Sequence, residues 1–79
     1  MKISVTQHHI NTGVRGNCKS DPIALALIDA GFKNPWVGPS YVRIDGGVKI
    51  NLPAEALDFI DVFDNDPDRA EPFTFELSE

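Results

Sequence analysis

Alternating apolar residues predict a β-strand at each end of the chain. Near the start, Ile3 and Val5 share one face while their neighbours are polar, as in a strand with one buried side. Residues 73–77 repeat this alternation and place three apolar side chains on one face: Phe73, Phe75 and Leu77. After the first strand, Thr6 is expected to cap a short helical turn that Gly13 ends.

A helix that is apolar on nearly every side is predicted over residues 22–30. Asp21 or Ser20 supplies the N-cap. Pro22 suits the first helical position, and Gly31 favours a left-handed stop. Six consecutive apolar residues follow the proline and surround the helix axis. Such a helix needs cover on two sides, so it is either a central packing element or half of an interface.

A second helix is predicted after Pro53, because its apolar residues recur at helical spacing. Its apolar stripe consists of Ala56, Leu57, Ile60 and Phe63, flanked by Phe59 and Val62. Three acids point toward water: Glu55, Asp58 and Asp61.

A β-hairpin is predicted between the two helices, and its turn follows from the apolar pattern. A two-residue loop at Gly46-Gly47 would mix apolar and polar residues on one face, whereas a three-residue loop over 45–47 opposes Ile44 to Val48. The inward face then carries Val42, Ile44, Val48, Ile50 and Leu52. The outward face carries Tyr41, Arg43, Lys49 and Asn51.

The element order β-α-β-β-α-β predicts the fold class. We expect one α+β domain over 1–79, built as a two-layer sandwich of a four-stranded antiparallel sheet with two helices on one face, similar to ferredoxin-like folds. Right-handed crossovers would place the first and last strands at the sheet centre. The single cysteine excludes an internal disulfide, so the fold must rest on its core or on a partner.

Charge is distributed unevenly along the chain. Residues 1–52 carry six Lys or Arg residues against three acids, a net charge of +3, whereas residues 53–79 carry one arginine against nine acids, a net charge of −8. This asymmetry is either a solvated acidic face that favours solubility or a means of steering a charged partner. The chain lacks an apolar run long enough for a membrane span and a signal-peptide core. A soluble protein of the cytoplasm is therefore expected, without a membrane partner.

Candidate chemistry is sparse. His8, His9 and Cys18 could form a metal site or a Cys/His nucleophile pair, but adjacent histidines point in different directions and a structural zinc site needs four ligands. The acids after the second helix lack the glycine of a calcium loop, since Arg69 takes its place. We therefore expect no catalytic residue, metal or cofactor. The first and third strands also lack the aromatic platform of RNA-binding domains, and with a net charge of −5 direct nucleic-acid binding is disfavoured.

Several stretches together resemble small uncharacterised accessory proteins encoded by actinobacterial bacteriophages. They are "VTQHHINTGVRGNCKSDPIALALIDAG", "VGPSYVRIDGG", "LPAEALDFIDVFD" and "PFTFEL". The resemblance transfers no catalytic residue. It implies a phage accessory protein that acts in the host cytoplasm by binding a host protein.

These observations lead to three functional hypotheses. The first is a non-enzymatic protein that binds and modulates a host protein through the outer sheet face or the acidic second helix. Its candidate contact residues are Trp36, Tyr41, Arg43, Lys49, Glu55, Asp58 and Asp61. A homodimer through the sheet or the first helix is a further expectation. The second is an acidic mimic of nucleic acid that blocks a DNA-binding or defence protein. The third is a small metal-binding protein or Cys/His enzyme.

Overall fold

The structure, a computed structural model, describes residues 1–77 of the 79-residue chain. It contains five strands and three α-helices within that range. The strands are β1 (Lys2–Val5), β2 (Trp36–Val37), β3 (Tyr41–Ile44), β4 (Val48–Asn51) and β5 (Phe73–Glu76). The helices are α1 (Gln7–Thr12), α2 (Pro22–Asp29) and α3 (Ala54–Asn65), and a 3₁₀ turn follows at Pro67–Arg69.

The strands form two separate sheets, so the predicted four-stranded ferredoxin-like sheet is wrong. β1 pairs antiparallel with β5, placing Ile3 opposite Phe75. β2, β3 and β4 form an antiparallel meander in that order. The α+β class is retained, but with three helices and sheets of two and three strands rather than one four-stranded layer covered by two helices.

The difference arises from β2, a strand that the sequence pattern did not reveal. The turn after Val37 reverses the chain, and the backbone N–H of Gly38 donates to the carbonyl oxygen of Tyr41 at 2.7 Å. β2 thereby takes one edge of β3, while β4 takes the other. β1 satisfies its backbone groups with β5 instead, and the two sheets meet only through side chains of a shared core.

The predicted hairpin register is confirmed. Ile44 lies opposite Val48, and Val42 lies opposite Ile50. All three turn residues have positive φ, at 47° for Asp45, 88° for Gly46 and 123° for Gly47. Val48 lies on the predicted side of the sheet, opposite buried Ile44, but it is not a core residue. Its exposed fraction is 55%, because it adjoins the turn at the open edge of the sheet.

α2 is the central packing element that its apolar sequence predicted. It contacts α1, β1 and β2, so it covers a strand of each sheet. Its N-cap is Asp21, whose carboxylate accepts a hydrogen bond from the backbone N–H of Ala24 at 2.7 Å. Although the helix is apolar on nearly every side, it is not buried on every side, since Ile28 is 48% exposed.

α3 closes the core with aromatic residues. Its buried residues are Ala56, Phe59 and Phe63, whereas Leu57 and Ile60 of the predicted stripe are only half-buried. The Phe59 ring stacks on Phe63 at 6.0 Å and on Phe73 of β5 at 4.7 Å, measured between ring centroids. The centre of the buried stripe is therefore shifted toward Phe59, because β5 presents its aromatic residue there.

Candidate functional site

Four of the predicted contact residues lie together on the three-stranded sheet. The Tyr41 ring centroid is 5.8 Å from that of Trp36, 5.5 Å from the guanidinium carbon of Arg43 and 4.6 Å from Nζ of Lys49. Both cations are within the range of cation–π attraction to the tyrosine ring. We call these four residues, Trp36, Tyr41, Arg43 and Lys49, the sheet face.

The strand register explains why the sheet face assembles. Arg43 pairs with Trp36 of β2 on one side and with Lys49 of β4 on the other. Directly opposed residues in a sheet point to the same side, so these three form one row across the strands. Tyr41 is two residues from Arg43 on β3 and therefore shares that side, while the intervening Val42 is fully buried.

Gly38 supports the aromatic pair by lacking a side chain. A β-carbon at this position would lie 2.9 Å from Cζ3 of Trp36 and 3.0 Å from Cζ of Tyr41, closer than van der Waals contact allows. The two rings therefore pack closely over the β2–β3 turn, and any larger residue at position 38 would force at least one of them to shift.

The sheet face is electrostatically unbalanced. Arg43 and Lys49 are exposed, and neither forms an ion pair within residues 1–77, where the ion pairs are those of the N-terminus with Glu76 and of His9 with Asp29. Two like charges on adjacent strands repel each other unless an anion lies near them. Half-buried rings beside exposed cations are suited to contact with an acidic protein surface.

The three acids predicted to contact a partner lie on other surfaces. Glu55, Asp58 and Asp61 of α3 are exposed, as expected. Glu55 and Asp58 line a groove with Arg69 and Phe73, and Asp61 lines a neighbouring depression with Asn65 and Arg69. Neither depression includes a residue of the sheet face, so these acids do not extend it.

A cleft that the sequence did not predict lies beside the sheet face. It has a volume of about 250 Å³ and is bordered by the loop before α2, by β2 and the turn after it, and by α3. Its walls include Cys18, Asp21, Trp36, Ile60 and Asp64. The backbone N–H of Val37 donates to the carbonyl oxygen of Cys18 at 2.8 Å and so attaches the loop to the strand.

Burial raises the pKa of Asp21 from its ordinary value of 3.8 to about 6. The negative charge of Asp64 adds to the increase, while hydrogen bonds from the backbone N–H groups of Ala24 and Ile23 oppose it. Desolvation therefore outweighs the capping bonds that favour the ionised form. Sequence analysis found Asp21 as a cap but missed its proximity to Asp64, because no local signal relates residues so far apart.

The histidines and the cysteine do not converge. His8 is exposed, His9 is buried against Asp29, and Cys18 is half-buried in the cleft. Across residues 1–77, no group of three or more His, Cys, Asp or Glu side chains is arranged to hold a metal ion.

Comparison with known proteins gives no relative: no family model, curated protein or solved structure matches this chain. In the part of the chain that the structure describes, no helix has both the length and the apolar character needed to cross a bilayer.

Proposed function

We propose that this protein is a non-enzymatic binding protein whose sheet face contacts an acidic surface of a partner protein. The observation that carries the proposal is the Tyr41 ring, which has Lys49 Nζ at 4.6 Å, the Arg43 guanidinium at 5.5 Å and the Trp36 ring at 5.8 Å. The resemblance to phage accessory proteins suggests that the partner is a protein of the host cytoplasm.

The chemistry of the sheet face favours a protein as the partner. Trp, Tyr and Arg are enriched among the residues that dominate binding energy at protein interfaces. The rings already pack against each other, so little side-chain freedom is lost when a partner covers them. A partner carboxylate would neutralise Arg43 and Lys49, whose repulsion is otherwise uncompensated within residues 1–77.

The experiment is affinity capture from a host lysate with the wild-type chain and with Tyr41→Ala and Lys49→Glu as baits. The matched control is Lys2→Glu, which makes the same charge change at an exposed position of β1. We expect a partner that the wild type and Lys2→Glu capture equally and that both sheet-face variants lose. Retention of that partner by Tyr41→Ala and Lys49→Glu would contradict the proposal.

The acidic nucleic-acid mimic is kept as a second candidate because of the exposed carboxylates on α3. Glu55, Asp58 and Asp61 form no ion pair within residues 1–77. A bait in which all three are changed to their amides tests this candidate. Loss of the partner with this bait but not with the sheet-face variants would favour the mimic.

A further inference from the structure

The cleft beside β2 combines an aromatic wall with two carboxylates. Trp36 and Ile60 provide apolar surface, while Asp21 and Asp64 enter from different elements. Asp21 precedes α2, and Asp64 lies in the last turn of α3. The cleft is thus closed by three segments of the chain rather than by a run of neighbouring acids.

The two carboxylates are not neutralised by the chain itself. Neither Asp21 nor Asp64 takes part in an ion pair within residues 1–77. Arg15 donates from Nη1 to the backbone carbonyl oxygen of Asp64 at 3.3 Å, not to its carboxylate, and it does not line the cleft. Burial is the main cause of the raised pKa of Asp21, and the negative charge of Asp64 adds to it, so the two carboxylates that line the cleft repel each other.

We propose that this cleft binds a guanidinium group, with its plane against the Trp36 ring and its N–H groups donating to the carboxylates of Asp21 and Asp64. A guanidinium is planar, stacks on aromatic faces and offers several N–H donors in a fixed arrangement, whereas an ammonium is a compact and more strongly hydrated charge. This site is separate from the acidic partner proposed for the sheet face, although Trp36 borders both.

A metal ion is a poorer match for the same walls. The described residues hold no group of three potential ligand side chains, and much of the cleft surface is apolar. An alkylguanidinium places its carbon chain against Ile60 and its charge against the acids, so each part of the ligand meets a suitable wall.

The test is a titration with n-butylguanidinium in which binding is monitored by the fluorescence of Trp36. Trp36 is the only tryptophan in the chain. n-Butylurea, which has the same shape without the charge, is the matched ligand control. We expect saturable binding of the cation and at least tenfold weaker binding of the urea, because a charge-assisted hydrogen bond contributes about one decade in Kd. Equal responses to both ligands, or no response to the cation, would overturn the proposal.

Variants locate the binding. Asp64→Asn removes one carboxylate at an exposed position, and Asp21→Asn removes the other while keeping a good N-cap residue. Each is expected to raise Kd about tenfold. Asp58→Asn, on the same helix but outside the cleft wall, should leave Kd within about twofold. A loss of the same size in Asp58→Asn would contradict a specific site.

Two further arms identify the source of the guanidinium and separate this proposal from the proposed function. An acetylated tripeptide with a central arginine presents the group as a protein side chain, whereas butylguanidinium presents it free. Tighter binding of the peptide supports a protein side chain, and tighter binding of the free cation supports a small molecule.

Lys49→Glu should abolish capture of the acidic partner while binding butylguanidinium at least as well as the wild type, so the two proposals can fail separately.

Discussion

The imidazole Nε2 of His9 lies 2.5 Å from a carboxylate oxygen of Asp29, and this contact joins α1 to the end of α2. The other ring nitrogen, Nδ1, accepts a hydrogen bond from the backbone N–H of Thr6 at 2.9 Å. The Thr6 hydroxyl in turn accepts a hydrogen bond from the backbone N–H of His9 at 3.3 Å. Nδ1 is therefore the acceptor and Nε2 carries the proton that is donated to Asp29. One histidine both completes a capping box and connects two helices.

Replacing His9 by alanine should destabilise the protein by about 2–3 kcal/mol. The change removes a side chain that is only 6% exposed, together with its hydrogen bonds to Thr6 and Asp29. Asp29→Ala should cost only about 1 kcal/mol, because its carboxylate is 68% exposed. Urea denaturation provides the measurement, with exposed His8→Ala as the control. Equal effects of the two histidine variants would show that the His9 contacts are not important for stability.

Gly38→Ala should separate the two rings of the sheet face. The added methyl group would lie 2.9 Å from the Trp36 ring and 3.0 Å from the Tyr41 ring, so at least one ring must move. The stability loss should be modest, about 1 kcal/mol, because the contacts are with outer ring atoms. A shift in Trp36 emission is the expected signal.

Gly46→Ala is the control for that substitution. It places a side chain at φ 88° in the hairpin turn, where no atom lies within 4 Å. It should lower stability through backbone strain while leaving Trp36 emission unchanged. Unaltered emission in Gly38→Ala would mean that the ring pair does not depend on this glycine.

The raised pKa of Asp21 predicts a pH dependence of stability. Because the pKa is about 6 in the folded protein and near 3.8 when unfolded, the native state binds more protons between these values. Asp21 therefore lowers the free energy of unfolding as pH rises from about 4 to 6. After allowance for solvent screening, we expect Asp21→Asn to be more stable than the wild type by about 1–2 kcal/mol at pH 7.5 and nearly equal to it at pH 4.

Thermal or urea unfolding of both proteins across that pH range provides the measurement. The difference between the two proteins is the relevant quantity, because the other acids titrate in both. A difference that stays constant from pH 4 to pH 7.5 would show that Asp21 has an ordinary pKa in the folded state.

Asp45 is expected to contribute to stability through both its backbone and its carboxylate. Its φ is 47°, and its side chain accepts the backbone N–H of Lys33 at 3.0 Å. Asp45→Ala loses the hydrogen bond and strains the backbone, for a cost of about 2 kcal/mol. Asp45→Gly should recover part of this cost by relieving strain, and Asp45→Asn should recover most of it. Equivalent stabilities of the alanine and asparagine variants would exclude a role for the side-chain oxygen.

Local features were predictable because their causes lie within a few residues. Asp21 caps α2 by reaching the backbone three residues ahead, and Thr6 caps α1 in the same way. The three-residue turn follows from the requirement that Val42 and Ile50 share a buried face. The same register was sufficient to place Tyr41, Arg43 and Lys49 on one side of the sheet.

The arrangement of the elements required the tertiary structure. A two-residue strand such as β2 is too short to show alternation, yet its pairing with β3 separates the hairpin from β1 and β5. Nothing local relates Asp21 to Asp64 or His9 to Asp29, since those contacts depend on how helices pack. Sequence alone therefore determined the caps, the hairpin turn and the shared side of Tyr41, Arg43 and Lys49, because these depend on residues close together in the chain. Trp36 joins them only through the pairing of β2 with β3. The two-sheet topology and the cleft were decided by packing between distant segments, where α2 covers β1 and β2 together.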